Sequence, residues 1–314
     1  MSRCRIQVIW PFLALFGSLI YVNALASDDL HVPSPDWREQ IIYFAMIDRF
    51  NDGDPTNNDH GAGEYDPGKG SHYSGGDLPG IREKIPYIKE LGATAVWITP
   101  PVAHQWWSIP SNYGGYHGYW GENLMQVDAH FGGLDDMQAL SRALHGQGIY
   151  LVQDIVVNHM GNYFGYQAKQ WNPANPGDGF RFQPDSGQGK SPGQYPFKLN
   201  NATDPKQAAR GIYHWTPDIL DYTDPEQEHN WQMAGLDDLN TENPEVRKAL
   251  RQSYGFWIKQ SGVDAFRVDT AFYVPPGYFR DFLYAEDAEY PGMYAVAKAT
   301  ARDDFLVFGE GFAI

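Results

Sequence analysis

Five short, almost uninterrupted apolar runs limit what this chain can fold into more than any other feature. They are IIYFAMIDRF (41–50), ATAVWITP (93–100), GIYLVQDIVV (148–157), VDAFRVDT (263–270) and FLVFGE (305–310). Runs that are apolar on both parities suit strands buried on both faces, as in parallel sheets with helical crossovers. Amphipathic segments lie between them. One helix is expected from about Leu78 to Leu91, stopped by Gly92, and another from Asp135 to Leu144, stopped by Gly146. A third begins at Pro244 behind the N-cap Asn243, places Val246, Leu250, Trp257 and Ile258 on one face, and ends at Gly262. Five βα-type strands without hairpin signals between them predict an α/β fold, either a (β/α) barrel or a doubly wound sheet.

The third run is not followed directly by a helix. From 161 to 235 the chain is rich in Gly, Pro, Asn and aromatic residues, too long for a plain loop, and reads as a small irregular domain inserted after strand three. The expected organisation is a signal peptide (1–26), a first part of the barrel (27–160), the insertion (161–235) and the barrel continued (236–314). The signal rests on Arg3 and Arg5, the apolar stretch Ile6 to Val22, and the Ala24-Leu25-Ala26 cleavage site. It implies a secreted or periplasmic protein, with no membrane attachment after cleavage. Cleavage also removes Cys4, the only cysteine, so stability must come from packing or bound ions. A formal charge of −16, before Arg3 and Arg5 are lost, argues against nucleic acid or an anionic membrane as partner. A neutral substrate is compatible with it, and the 15% aromatic content suits stacking on sugar faces.

Arg267 and Asp269 lie two apart in FRVDT, so they share one face of a strand. In a barrel that face is the interior, and active sites are built at the carboxyl ends of the strands. A carboxylate beside a guanidinium stays ionised, as a carboxylate nucleophile must, although a structural ion pair would look the same in sequence. In DIVVNH, Asp154, Val156 and Asn158 share a face and His159 follows at the rim. Glu310 is a third carboxylate at the end of a run. Paired carboxyl groups around one site are what glycoside hydrolysis requires.

With these residues in view, the chain resembles the α-amylase family, glycoside hydrolase family 13. DIVVNH, GVDAFRVDT and FGEG fall in the order and spacing of that family's first three signature regions. YHGYW (116–120) resembles its substrate-binding stretch after strand two, and LDDLN (236–240) the signature late in its inserted domain. The resemblance implies a (β/α)8 TIM barrel, of which about five βα units are present here. It implies that Asp269 is the nucleophile, Glu310 the general acid/base, and Arg267 the group that keeps the nucleophile ionised. His117, Tyr119 and His159 would line the subsite of the sugar whose bond is cut, and Glu310 would be protonated when attack begins. The partner is starch or a related α-glucan, and the protein is expected to act as a monomer.

Two Ca2+ sites are implied as well. NDGDPTNND (51–59) lacks the spacing of an EF-hand. It resembles the N-terminal calcium loop of cyclodextrin glucanotransferases, with ligands at Asp52, Asp54, Asn57, Asn58, Gly75 and Asp77. The second site would join the insertion to the barrel through Asn158 and Asp238, with the Tyr273 carbonyl a further ligand. Two departures bear on specificity. Phe272 and Tyr273 stand where many members carry a Lys-His pair, and Ala234 where the glucanotransferases carry a central aromatic. Hydrolysis is therefore expected over cyclisation, with a transglycosylase or a non-catalytic glucan-binding relative as the alternatives. Because a closed barrel needs eight strands, the polypeptide is expected to be an N-terminal fragment, inactive alone.

Overall fold

The computed structural model describes residues 30–167 and 169–309. The proposed signal, residue 168 and the segment from Glu310 onward lie outside the described residues. Numbering only the strands of the main sheet, β1 (Ile42–Ala45), β2 (Ala95–Ile98), β3 (Tyr150–Val156), β4 (Ala265–Asp269) and β5 (Leu306–Gly309) pair in sequence order, and every pairing is parallel. A doubly wound sheet reverses strand order at a switch point; sequential order with helices against one face belongs to the barrel solution. The described strands form an open sheet with no closure.

Strand parity separates two faces. Val96, Ile98, Leu151, Ile155, Phe266 and Val268 point outward into the main core, where they meet residues such as Ile81, Leu140, Leu250 and Trp257. The other parity holds Ala95, Val152 and Ala265, with Trp97, Leu306 and Phe308 packed around them. On this inner face the register sets Phe44 beside Trp97, Trp97 beside Val152, and Asp154 beside Arg267. The face is thus apolar low in the sheet and charged toward the carboxyl ends.

The helices largely follow local signals, with one break. The expected 78–91 helix is two helices, α1 (Leu78–Glu83) and α2 (Ile85–Glu90). Pro86 has no N–H to give the carbonyl of Arg82, and Lys84 turns out of helical geometry at φ −94, ψ 6. Helix α3 (Leu134–His145) buries Met137, Leu140 and Leu144. In α4 (Pro244–Ser261) the Asn243 side chain accepts from the Glu245 N–H at 2.9 Å, and the left-handed Gly262 (φ 75) ends the helix. A side chain at 262 would strike the Leu30 carbonyl, so glycine is required there twice over.

The run 41–50 is a strand only to Ala45; Ile47–Phe50 is a helical turn. Within that turn the buried carboxylate of Asp48 accepts the Ser74 and Gly75 N–H groups, which a residue in the β1 ladder would not reach. The expectation of no hairpins also fails. Between β2 and α3, Val102–His104 pairs antiparallel with Gly121–Val127, and Trp107–Ser108 with Tyr113–Gly114. Strands of two or three residues are too short to show a periodicity.

Residues 161–235 carry an antiparallel pair, Phe164–Tyr166 with Phe180–Phe182, and two short helices, Pro205–Ala208 and Pro225–Asn230. Phe164, Phe180, Tyr213 and Trp215 form an aromatic nucleus for this segment. Buried Asp237 fastens it by accepting the N–H groups of Tyr163 and Phe164.

Candidate active site

Asp269 ends β4 with its carboxylate 2.8 Å from Arg267 Nη1, and the same nitrogen lies 3.1 and 3.0 Å from the two oxygens of Asp154 on β3. One guanidinium therefore serves two carboxylates. Arg267 and Asp269 retain 7% and 9% of their exposure and Asp154 none, so Asp269 is the carboxylate that opens to the site. Tyr119 Oη and Trp97 Nε1 donate to Asp154 at 2.9 and 3.0 Å. The Arg267 guanidinium also lies 5.1 Å from the centre of the Trp97 ring. Burial pushes the Asp154 carboxyl up to about 7; Arg267 opposes this and the second carboxylate reinforces it. Arg267 is held above its ordinary value by Asp154 and Asp269, against its burial.

Sequence reasoning placed Asp154 on the right face but gave it no role, and it passed over Trp97. Both were accessible through parity: each shares the interior face with Arg267, and only the strand register makes them its neighbours.

Tyr119 connects this cluster to two imidazoles. Its backbone N–H donates to His117 Nδ1 at 3.1 Å, and the two rings stack at 5.6 Å. His159 Nε2 donates to the Tyr119 carbonyl at 3.2 Å. Burial depresses both histidines, His117 to about 3 with repulsion from His104 and His159 assisting, and His159 to about 4. Both are neutral near pH 7, and the accepted bond at His117 Nδ1 puts that ring's proton on Nε2. The structure thus brings His117, Tyr119, His159, Arg267 and Asp269 together, while Glu310 lies outside the described residues.

The expected cation ligands fall in two places. In the first loop, Asn58 Nδ2 donates to Asp52 at 2.7 Å and Asn57 Nδ2 to Asp77 at 3.2 Å. The side-chain oxygens of both asparagines are buried without a hydrogen-bond partner. Gly75, at φ 93, approaches so closely that a Cβ would lie 2.6 Å from Asn58. Asp77 caps α1 through the Gly80 N–H and binds the N–H groups of Gly53 and Asp54. Asp54 joins the loop through that N–H, since its carboxylate turns to Thr56. Two orphaned amide oxygens beside two carboxylates suit a hard cation.

At the second place, Leu239 N–H donates to the Asn158 carbonyl and His159 bridges to Asp238 through the backbone. Burial raises the Asp238 carboxyl to about 6, countered by His214 Nδ1 at 2.7 Å. Tyr273 lies on the turn after β4. Among the described residues no group of three or more His, Cys, Asp and Glu side chains converges as a cage, so both donor sets depend on amide and carbonyl oxygens.

A model of the α-amylase catalytic domain matches residues 44–308. A cyclomaltodextrin glucanotransferase of Klebsiella oxytoca is 33% identical over 280 residues, which cover 88% of this chain and 38% of the relative. An α-amylase of Streptomyces lividans is 32% identical over 278 residues, covering 79% and 29%. Among solved structures, an Anoxybacillus α-amylase superposes with a TM-score of 0.62 at 31% identity, covering 87% of this chain and 48% of that one. The chain spans less than half the length of each of these relatives. With sequential parallel strands and a charge cluster at their carboxyl ends, the chain belongs to the α-amylase family, glycoside hydrolase family 13, whose catalytic domain is a TIM barrel.

Proposed function

We propose that this chain is the N-terminal part of a secreted, retaining glycoside hydrolase that cleaves α-glucosidic bonds, mainly α-1,4, in starch-like glucans. The observation that carries the reading is Asp269 bonded to Arg267 at the carboxyl end of β4, in a cluster that Tyr119 joins through Asp154 and His117 joins through Tyr119. Asp269 would attack the anomeric carbon while Glu310 protonates the departing oxygen. Water activated by Glu310 would then release the sugar with its configuration retained. His117 and Tyr119 would hold the ring of the sugar under attack, and Arg267, bonded to Asp269 at 2.8 Å, would orient the nucleophile's carboxylate. When bound, Ca2+ would tie the 51–77 loop together through Asp52, Asn57, Asn58, Gly75 and Asp77, and the insertion to the barrel through Asn158 and Asp238.

Following the anomer released from maltoheptaose by NMR tests the chemistry. An inverted product would remove Asp269 as nucleophile. Chelation of Ca2+ should lower the unfolding temperature, and re-added Ca2+ should restore it. N-terminal sequencing of the exported protein should begin at Ser27.

The described sheet is read as five of eight βα units because β1 leaves Ile42 and Phe44 on the interior face 40% and 43% exposed, where a closed barrel would cover them. Residues 27–314 alone are accordingly expected not to hydrolyse starch. The residues from 161 to 235 are taken as an inserted domain. A transglycosylase is the second reading, favoured by the likeness to the Klebsiella glucanotransferase. Cyclic or lengthened products from starch would decide for it.

A further inference from the structure

The 161–235 segment and the chain just after it form a ligand-sized groove that shares no residue with the Asp269 cluster. Its volume is about 430 Å3, within the ordinary range for small-molecule sites. Trp171, Pro173 and Trp215 supply its apolar lining, and Glu226, Asn230 and Glu242 its polar lining. The indoles offer no free donor, because their N–H groups are already committed, and the part-exposed Trp171 supplies ring surface while Trp215, 9% exposed, forms the floor. Trp171 Nε1 donates to the Trp215 carbonyl at 2.8 Å and Trp215 Nε1 to the Ala208 carbonyl at 3.2 Å. Behind them, Trp215 packs on Phe164 at 5.4 Å and Trp171 meets Trp231 edge-on at 5.1 Å. Lining held this way loses little freedom when a ligand arrives.

The polar side is rich in acceptors, with the amides of Asn230 and Asn240 beside them. Glu226 and Glu242 are exposed carboxylates, and Asn230 Oδ1 is buried without a hydrogen-bond partner. No lysine or arginine lines the groove. Its one imidazole, His214, is engaged by Asp238 at 2.7 Å and faces Glu242 at 3.5 Å. A fixed apolar lining, two exposed carboxylates and no lysine or arginine disfavour phosphates, nucleic acids and acidic polymers. They suit a molecule with C–H faces and many O–H donors.

We propose that this groove is a second carbohydrate-binding site, which holds a short neutral oligosaccharide separately from the bond-cleaving cluster. The test is calorimetric titration of maltotriose into the full-length protein of which this chain is the N-terminal part, carrying Asp269→Asn, alone and with Trp171→Ala or Glu226→Ala. The expected result is two classes of site, one of which weakens at least tenfold in either variant. Glu226 is exposed, so its removal does not threaten folding. Unchanged stoichiometry and affinity in both variants would overturn the proposal, as would the absence of a second class. Displacement of maltotriose from the groove by tetramethylammonium would assign the site to an amine and overturn it too. Turnover of maltoheptaose by the unsubstituted protein tests the catalytic reading separately, so either can fail alone.

Discussion

At the N-terminal end of β4, the carboxylate of Asp264 is shared by Arg302 and His145; at the C-terminal end, the guanidinium of Arg267 is shared by Asp154 and Asp269. The lower cluster is rich in donors. Asp264 accepts from Arg302 at 3.2 Å, His145 at 2.7 Å and the Leu151 N–H at 2.8 Å. Arg302 spends its remaining N–H groups on His31, Thr300 and the carbonyls of Leu30 and Gly262. The upper cluster is the inverse, with two carboxylates to one cation among the described residues. A satisfied cluster locks elements together, whereas two carboxyl groups sharing one cation leave acceptor capacity suited to a positive charge that develops during reaction, such as an oxocarbenium ion. Under the proposed function the two ends of one strand divide stability from chemistry, as barrel geometry leads one to expect.

The sharpest way to break this division is at the top. In the full-length protein, Asp269→Asn should lower kcat on maltoheptaose by roughly 10^4-fold or more while leaving the unfolding temperature within a few degrees of the parent. A large loss of stability with residual activity would reverse the roles assigned to the two ends. At the bottom, Asp264→Ala strands a buried guanidinium and should cost about 3–5 kcal/mol in urea unfolding, with the specific activity of the folded fraction retained. Replacing both partners, Asp264→Leu with Arg302→Met, should recover part of that loss, because it is the unpaired charge that costs most.

Titration sharpens the comparison further. Asp154 has its folded pKa raised from 3.8 to about 7, chiefly by burial. A carboxyl raised on folding contributes stability that is full below its unfolded pKa and is lost as pH climbs through its folded pKa. The contribution of Asp154 should therefore decline between about pH 4 and 7. Asp154→Asn should flatten that part of the profile in thermal unfolding across the range, and an unchanged slope would mean that Asp154 is not the group titrating.

Much of this molecule is legible in sequence because the signals are local. Asn243, Pro244 and Gly262 mark the two ends of α4 within a residue, and the two-residue spacing of Arg267 and Asp269 assigns them one face. What escapes is set by partners distant in the chain. Asp48, in the helical turn after β1, is fixed by amides 26 and 27 residues away. Asp264 acquires its meaning only from Arg302 and His145, 38 and 119 residues distant, and nothing near Arg302 marks it as a buried residue. Asp154 was visible on the correct parity, but a guanidinium shared between strands depends on register, and register is not written in either strand alone.

The gentlest perturbation of the upper cluster is Tyr119→Phe. It removes the hydroxyl that donates to Asp154 Oδ2, while Trp97 Nε1 still donates to the same oxygen at 3.0 Å. The ring stays stacked on His117, and the backbone contacts to His117 and His159 are untouched. The loss is one hydrogen bond, about 1 kcal/mol, so kcat/KM on maltoheptaose should fall roughly 5- to 10-fold with little change in stability. Ionised Asp154 loses a donor, so its titration should move to higher pH, a shift that a purely steric role for Tyr119 would not produce. If kcat/KM falls without that shift, the phenol serves the sugar directly, and Trp97 and Arg267 suffice to set the state of Asp154.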